Sequence, residues 1–259
     1  LSRNPHKLKT AITLALYTSV LTLLCICTLS IQTLYGQRVY ANAQQSGSSG
    51  LSSVSNAPRA VDANYTNFSS LNSVVLGSAW QNLQFTGVNK PIASTPLIVN
   101  ASTSLTLLTN MKVQLTNATA LVGSEYAFLS GEHTYAPQNI TYDGVRVYIG
   151  GVLGGINVYY AFFIVAPRVN NISICTGNQA VLTIQNYQTG YTYKLYEGTT
   201  EIAATLNTIA HTLTTTATLT STKNYHIVAL ENGTNHPSGR TPVTVTVNPN
   251  PSTPNTSLQ

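Results

Sequence analysis

The sequence predicts an all-β protein: two sandwiches in tandem behind an apolar export helix. Three observations predict it. Only 7% of the 259 residues are charged, while Thr, Ser, Asn and Gly abound, a balance usual for extracellular β-proteins and unusual for cytosolic enzymes. Short apolar–polar alternations punctuated by Gly, Pro and Asn recur from about residue 80 to residue 248, the mark of half-buried strands in a sandwich or jelly roll. An uncharged run over 11–31 follows a basic flank at the N-terminus.

That run, within segment 1–36, fits a signal peptide or a membrane anchor. Six Ser and Thr residues dilute its hydrophobicity, and Leu34-Tyr35-Gly36 offers a small-residue cleavage site, which favours a cleaved signal. Contact with a membrane is expected only through this segment, if it stays uncleaved. Cys25 and Cys27 lie inside the run, so Cys175 stands alone in the mature chain, without a disulfide partner and expected as a small buried side chain. The formal charge of +5 falls to +2 once Arg3, Lys7 and Lys9 are set aside with the leader. No basic stripe remains, which excludes nucleic acid as a partner.

Residues 37–58 read as a flexible Gly/Ser-rich leader. The first folded unit is expected over 59–166, with strands at 82–85, 97–100, 112–116 and 124–129; residues 101–110 fit a strand or a loop. The stretch Asn139–Pro167 is its centre. Val145, Val147 and Ile149 alternate with Arg146 and Tyr148, which places those two side chains on the outer face. Residues 156–165 are aromatic and β-branched almost throughout, as suits a strand covered on both faces. The intervening Gly150–Gly155 run predicts a tight connection between two strands. A linker at 167–171 leads to a second unit over 172–248, with strands at 180–185, 191–197, 211–219, 225–231 and 241–248. Seven or so short strands in under ninety residues match the size of an immunoglobulin-like sandwich. The tail 249–259 is Pro/Ser/Thr-rich and extended.

Tyr225-His226-Ile227-Val228-Ala229 resembles the sixth strand of immunoglobulin-like domains. The resemblance makes Tyr225 a tyrosine corner whose hydroxyl bonds upstream backbone. It also makes Ile227 and Leu182 an apolar pair where antibodies carry a disulfide, and Tyr193 the substitute for the usual Trp. In the first unit, Ala60-Val61-Asp62-Ala63-Asn64-Tyr65-Thr66 resembles the aspartate turn of discoidin-like, galactose-binding-fold domains, with Ala63 in place of the usual Gly. Trp80-Gln81-Asn82-Leu83-Gln84-Phe85 is similar to a characteristic strand of the same domains. The fold implied is a discoidin-like jelly roll followed by an immunoglobulin-like sandwich. Export signal and two such modules together look like large surface proteins of gliding Bacteroidetes-type bacteria, which continue into further repeats and a sorting domain. This chain stops before either and begins with Leu1, as a fragment would.

Candidate sites follow. In some discoidin-like domains the aspartate turn holds a structural Ca²⁺; here Asp62, Asn64 and Thr66 would supply the hard oxygen ligands. The competing reading is a turn closed by Asp62 on local backbone N–H groups, with no cofactor required. Trp80, the sole tryptophan, reads as a core anchor rather than a ligand platform. Glu132, His133 and Tyr135 sit in a polar, aromatic stretch expected as a loop, where contact with a glycan fits best. Eight Asn-x-Ser/Thr sequons would accept N-glycans only in a eukaryotic secretory route. Catalytic signatures are missing: there is no nucleophile elbow, phosphate loop or zinc motif, and the seven acids do not pair as a glycosidase requires. The expectation is a non-enzymatic, secreted or outer-surface protein for adhesion or glycan binding, meeting a surface glycan or a neighbouring surface protein. The alternatives are a structural stalk or filament subunit, and a non-catalytic module of a larger secreted hydrolase.

Overall fold

The computed structural model describes residues 37–88 and 90–251. The apolar run with Cys25 and Cys27, and the tail beyond residue 251, lie outside the described residues. Among the described residues no helix is long and apolar enough to cross a membrane.

The first sandwich is one eight-stranded antiparallel sheet curled on itself. Three long strands dominate it: β4 (Ser69–Gln84), β5 (Leu97–Asn117) and β8 (Gly144–Ile164), with β8 between the other two. Around them lie β1 (Arg38–Tyr40) against β8, β2 (Ala43–Ser49) and β3 (Ser53–Ser55) against β4, and β6 (Ala120–Ala127) and β7 (Gly131–Tyr135) against β5. A 3-10 turn spans Ala57–Val61.

The glycine run does not close a hairpin, as the sequence suggested. Residues 150–155 lie within β8, where all three long strands turn the corner between the two layers. β4 bulges between Val74 and Gly77, and β5 shifts register between Thr103 and Leu105. Gly151 sits at φ +134, and a Cβ there would lie 2.3 Å from the Leu108 carbonyl oxygen. Curving a sheet this sharply inside its strands requires such bulges and glycines. The bend also changes which face is buried: Val145, Val147 and Ile149 line the core before it, Ile156 and Val158 after it. Residues 101–110 are strand too, part of β5.

Residues 43–49 and 53–55 are edge strands, not the flexible leader expected, and β1 pairs with the far end of β8. Small side chains hide a strand at the sheet edge, because nothing there alternates in hydrophobicity. The stretch 131–135, expected as a loop, is strand β7.

The second sandwich packs a three-stranded sheet on a five-stranded one. The first holds β10 (Val181–Thr183), β13 (Ala204–Asn207) and β14 (Thr212–Thr215). The second holds β9 (Ile172–Cys175), β11 (Tyr191–Glu197), β12 (Thr200–Ile202), β15 (Lys223–Glu231) and β16 (Thr241–Asn248). β9 runs parallel to β16, and every other pairing is antiparallel. Leu182, Ile227 and Tyr193 are buried in its core as expected. Tyr225 is buried as well, but its hydroxyl makes no bond to upstream backbone among the described residues, so it packs without closing a tyrosine corner. Cys175 is exposed, against the expectation of burial, because it falls on the outward face at the end of β9.

The two sandwiches share apolar surface. Ile98, Phe162 and Ile164 point away from the first core and join the cluster of Leu195, Ile227 and Val243. The end of β8 is thereby covered on both faces, as its composition predicts. Polar contacts frame this junction. Arg38 donates through Nε and Nη2 to Glu231, each at 2.6 Å. His236 Nε2 lies 2.7 Å from Glu132, and Gln37 donates to the Tyr193 hydroxyl at 3.0 Å. Burial alone would raise the Glu231 carboxyl, but the hydrogen bonds from Arg38 and Thr234 and the Arg38 charge outweigh it and hold it below the ordinary glutamate range.

Candidate glycan-binding face

Alternation along β4 sends Ala79, Gln81 and Leu83 inward and Trp80 outward; Asn82 shares the Trp80 side of the sheet but is fully buried beneath Arg146. Trp80 is therefore half-buried on the outer face, and the sequence-based reading of it as a core anchor is corrected. Arg146 and Tyr148 project from the same face of β8, as their spacing implied. Register sets the side chains in rows. Gly47, Trp80, Tyr148 and Lys112 lie across β2, β4, β8 and β5. The next row is Gln45, Asn82, Arg146 and Gln114, and a third row is Ser49, Ser78, Gly150 and Asn110.

Both rings lie down over glycine backbone. A Cβ on Gly47 would lie 2.7 Å from Trp80 Cζ2, and one on Gly150 would lie 2.5 Å from the Tyr148 hydroxyl oxygen. The Arg146 guanidinium stands 4.3 Å from the Trp80 ring centroid and donates through Nε to Asn82 at 2.7 Å. Lys112, ion-paired with Glu125, places its ammonium 5.1 Å from the Tyr148 ring. A groove of about 530 Å³ opens beside Tyr148, over Ser78, Asn110 and Gly150, with exposed Leu76 and Leu108 at its far end. An aromatic ring bordered by an amide and a hydroxyl, as Tyr148 is by Asn110 and Ser78, is suited to a sugar, whose C–H faces are apolar and whose rim is hydroxyl.

The other sequence-derived candidates are placed differently. Tyr135 is buried in the first core, and Glu132 is tied into the junction by His236 and by the Tyr160 hydroxyl, at 2.7 Å each. His133 remains outside, with Nε2 2.9 Å from the Ser130 carbonyl oxygen. These three do not converge on one ligand surface. At the aspartate turn Asp62 accepts from the Asn64 N–H and from Asn67 Nδ2, both at 2.9 Å, while Asn64 Oδ1 accepts from the Thr66 N–H and hydroxyl. The Asn67 bond first, then the Asn64 bond, hold the Asp62 carboxyl below its ordinary range. Ala63 takes φ 63, the conformation for which glycine is the usual choice. The Asp62 and Asn64 side-chain oxygens named for an ion thus already accept from protein donors, and the Thr66 hydroxyl donates to one of them. Among the described residues no three His, Cys, Asp or Glu side chains gather as a metal site.

Residues 165–249 match the model of a family described as Ig-like domain, CHU_C associated. No curated protein matches the chain. Among solved structures, it is similar to a β-1,2-glucanase from Parabacteroides distasonis at 12% identity, covering 84% of this chain and 40% of that one, with a TM-score of 0.35. It is also similar to the lectin domain of Lectinolysin complexed with Lewis B antigen, at 18% identity over 48% of this chain and 94% of that one, TM-score 0.35. The adhesin domain of Epf from Streptococcus pyogenes follows at 8% identity, 82% and 94% coverage and a TM-score of 0.27. The chain spans 40% of the length of the glucanase it matches.

Proposed function

We propose that this is a non-enzymatic, surface-displayed adhesion module that binds glycan on the outer face of its first sandwich. One observation carries the reading: the Tyr148 ring lies down over Gly150 on the outer sheet face, beside a groove lined by Ser78 and Asn110, with Trp80 opposite it in register beneath the Arg146 guanidinium. The low charge of the chain and its immunoglobulin-like unit support display at the cell surface. A glycan array on the whole chain tests it. Binding to a neutral oligosaccharide that falls about tenfold in Tyr148→Ala, or about 1.4 kcal/mol, supports the face. Silence of a folded sample across the array, or binding that survives Trp80→Ala and Tyr148→Ala together, refutes it. A stalk role is the second reading, favoured by the apolar surface that the two sandwiches share, and a silent array supports it.

A further inference from the structure

A second cavity, about 520 Å³, lies between the two sandwiches and shares no residue with the aromatic face. Lys90 lines it from the first sandwich, Arg168 from the connecting segment and Arg240 from the second sandwich, and no carboxylate lines it. The charge pattern of the molecule makes this concentration unusual. Six of the seven acids lie within salt-bridge distance of a cation or histidine, and the seventh, Asp62, is held in its turn. Four arginines have no carboxylate in ion-pair contact among the described residues: Arg59, Arg146, Arg168 and Arg240. Arg146 stacks on Trp80, whereas two of the four meet in this cleft.

The main chain at Arg168 and the guanidinium of Arg240 are held in place. The Arg168 N–H donates to Asn186 Oδ1 at 2.6 Å, its carbonyl accepts from the Gln185 N–H at 2.9 Å, and Asn186 Nδ2 donates to the Ala166 carbonyl at 3.1 Å. Arg240 Nη1 donates to the Gly198 carbonyl at 3.2 Å. Lys90 is only loosely engaged, 3.9 Å from Asp143. The side-chain amides of Asn170 and Gln185 also line the cleft and make no bond among the described residues. Exposed Ile92 supplies an apolar wall. Guanidinium groups recognise carboxylate and sulfate by paired, charge-assisted hydrogen bonds.

We propose that the cleft between the sandwiches binds an acidic saccharide, its carboxylate or sulfate groups taken by Lys90, Arg168 and Arg240 and its hydroxyls by Asn170 and Gln185. Nucleic acid fits less well: three cations are few for a phosphate backbone, and no exposed ring lines the cleft for bases to stack on.

The test is affinity electrophoresis of the whole chain in gels carrying polygalacturonate, heparin, neutral dextran or single-stranded DNA, at low salt. Polygalacturonate and heparin separate carboxylate from sulfate as the recognised group. Retention by either acidic polysaccharide is expected to weaken at least tenfold in Arg168→Gln/Arg240→Gln. It should change less than twofold in Arg59→Gln/Lys194→Gln, which removes the same charge elsewhere. The proposal is overturned if neither acidic polysaccharide retards the chain, if both double variants lose retention equally, or if DNA binds as tightly as the saccharides. Loss of neutral-glycan binding on the array with acidic retention intact would refute the aromatic face alone.

Discussion

Phe162→Ala tests whether the sandwiches are energetically one body. The Phe162 side chain is fully buried, yet it belongs to the core of the second sandwich while standing on the central strand of the first. Tyr40 packs on it at 5.2 Å between centroids, His236 at 6.0 Å, and the Arg38 guanidinium sits 4.2 Å above the ring. Truncating a buried Phe costs about 3–5 kcal/mol, and the lost cation–ring contact adds about 0.5–2 kcal/mol. That is a large part of the roughly 5–15 kcal/mol that holds a domain folded. Urea unfolding followed by two probes reads it out. Trp80 fluorescence reports the first sandwich alone, because the chain has one tryptophan, while far-UV circular dichroism reports both. The wild-type curves are expected to coincide. In Phe162→Ala both midpoints fall and the two curves separate, because the shared apolar surface no longer ties one unit to the other. A loss below about 1 kcal/mol, small for a filled core position, or wild-type curves that already diverge, would refute the reasoning.

Gly151→Ala forces a Cβ against the Leu108 carbonyl at a φ that non-glycine residues avoid, and should cost at least about 2 kcal/mol in urea melts; a neutral outcome would mean that the corner relaxes freely. Glu231 should make stability acid-sensitive. Its carboxyl is held below the ordinary range, so its contribution is complete above the unfolded value of about 4.3 and is lost as pH falls through the lower folded value. Glu231→Gln is therefore less stable than wild type at neutral pH, and the two converge in acid; parallel curves would show that Arg38 gains nothing from the charge. At the aspartate turn, thermal melts with and without Ca²⁺ should match, since the Asp62 oxygens already accept N–H donors. A Ca²⁺-dependent rise in Tm that Asp62→Ala abolishes would instead place an ion there.

Alternation was the most readable feature of the chain. β11 and β16 have the bounds that their spacing predicts, and Arg146 and Tyr148 could be assigned to the outer face from three apolar neighbours. The same parity held the answer for Trp80. Leu83 and Phe85 point inward, so an even-numbered residue on that strand faces out, but the general preference of tryptophan for cores obscured it. The corner strands were illegible for a different reason: a glycine run has one composition whether it closes a turn or bends a sheet, and only the neighbouring bulges in β4 and β5 decide which. The cleft escaped entirely, since Lys90, Arg168 and Arg240 are brought together by the docking of two sandwiches and by nothing local.

The parallel pairing of β9 with β16 has a mechanical consequence. Tension drawn between the start of β9 and the end of β16 slides the two strands lengthwise past each other. The whole ladder from Ile172–Val245 to Cys175–Asn248, with the Thr176 bonds to the Asn248 carbonyl, then resists at once. β1 and β8 run antiparallel, with Arg38 opposite Ile164, so tension between those neighbouring ends peels their bonds one after another. Under tension applied in these two ways, the second sandwich would be the part that keeps its shape longer.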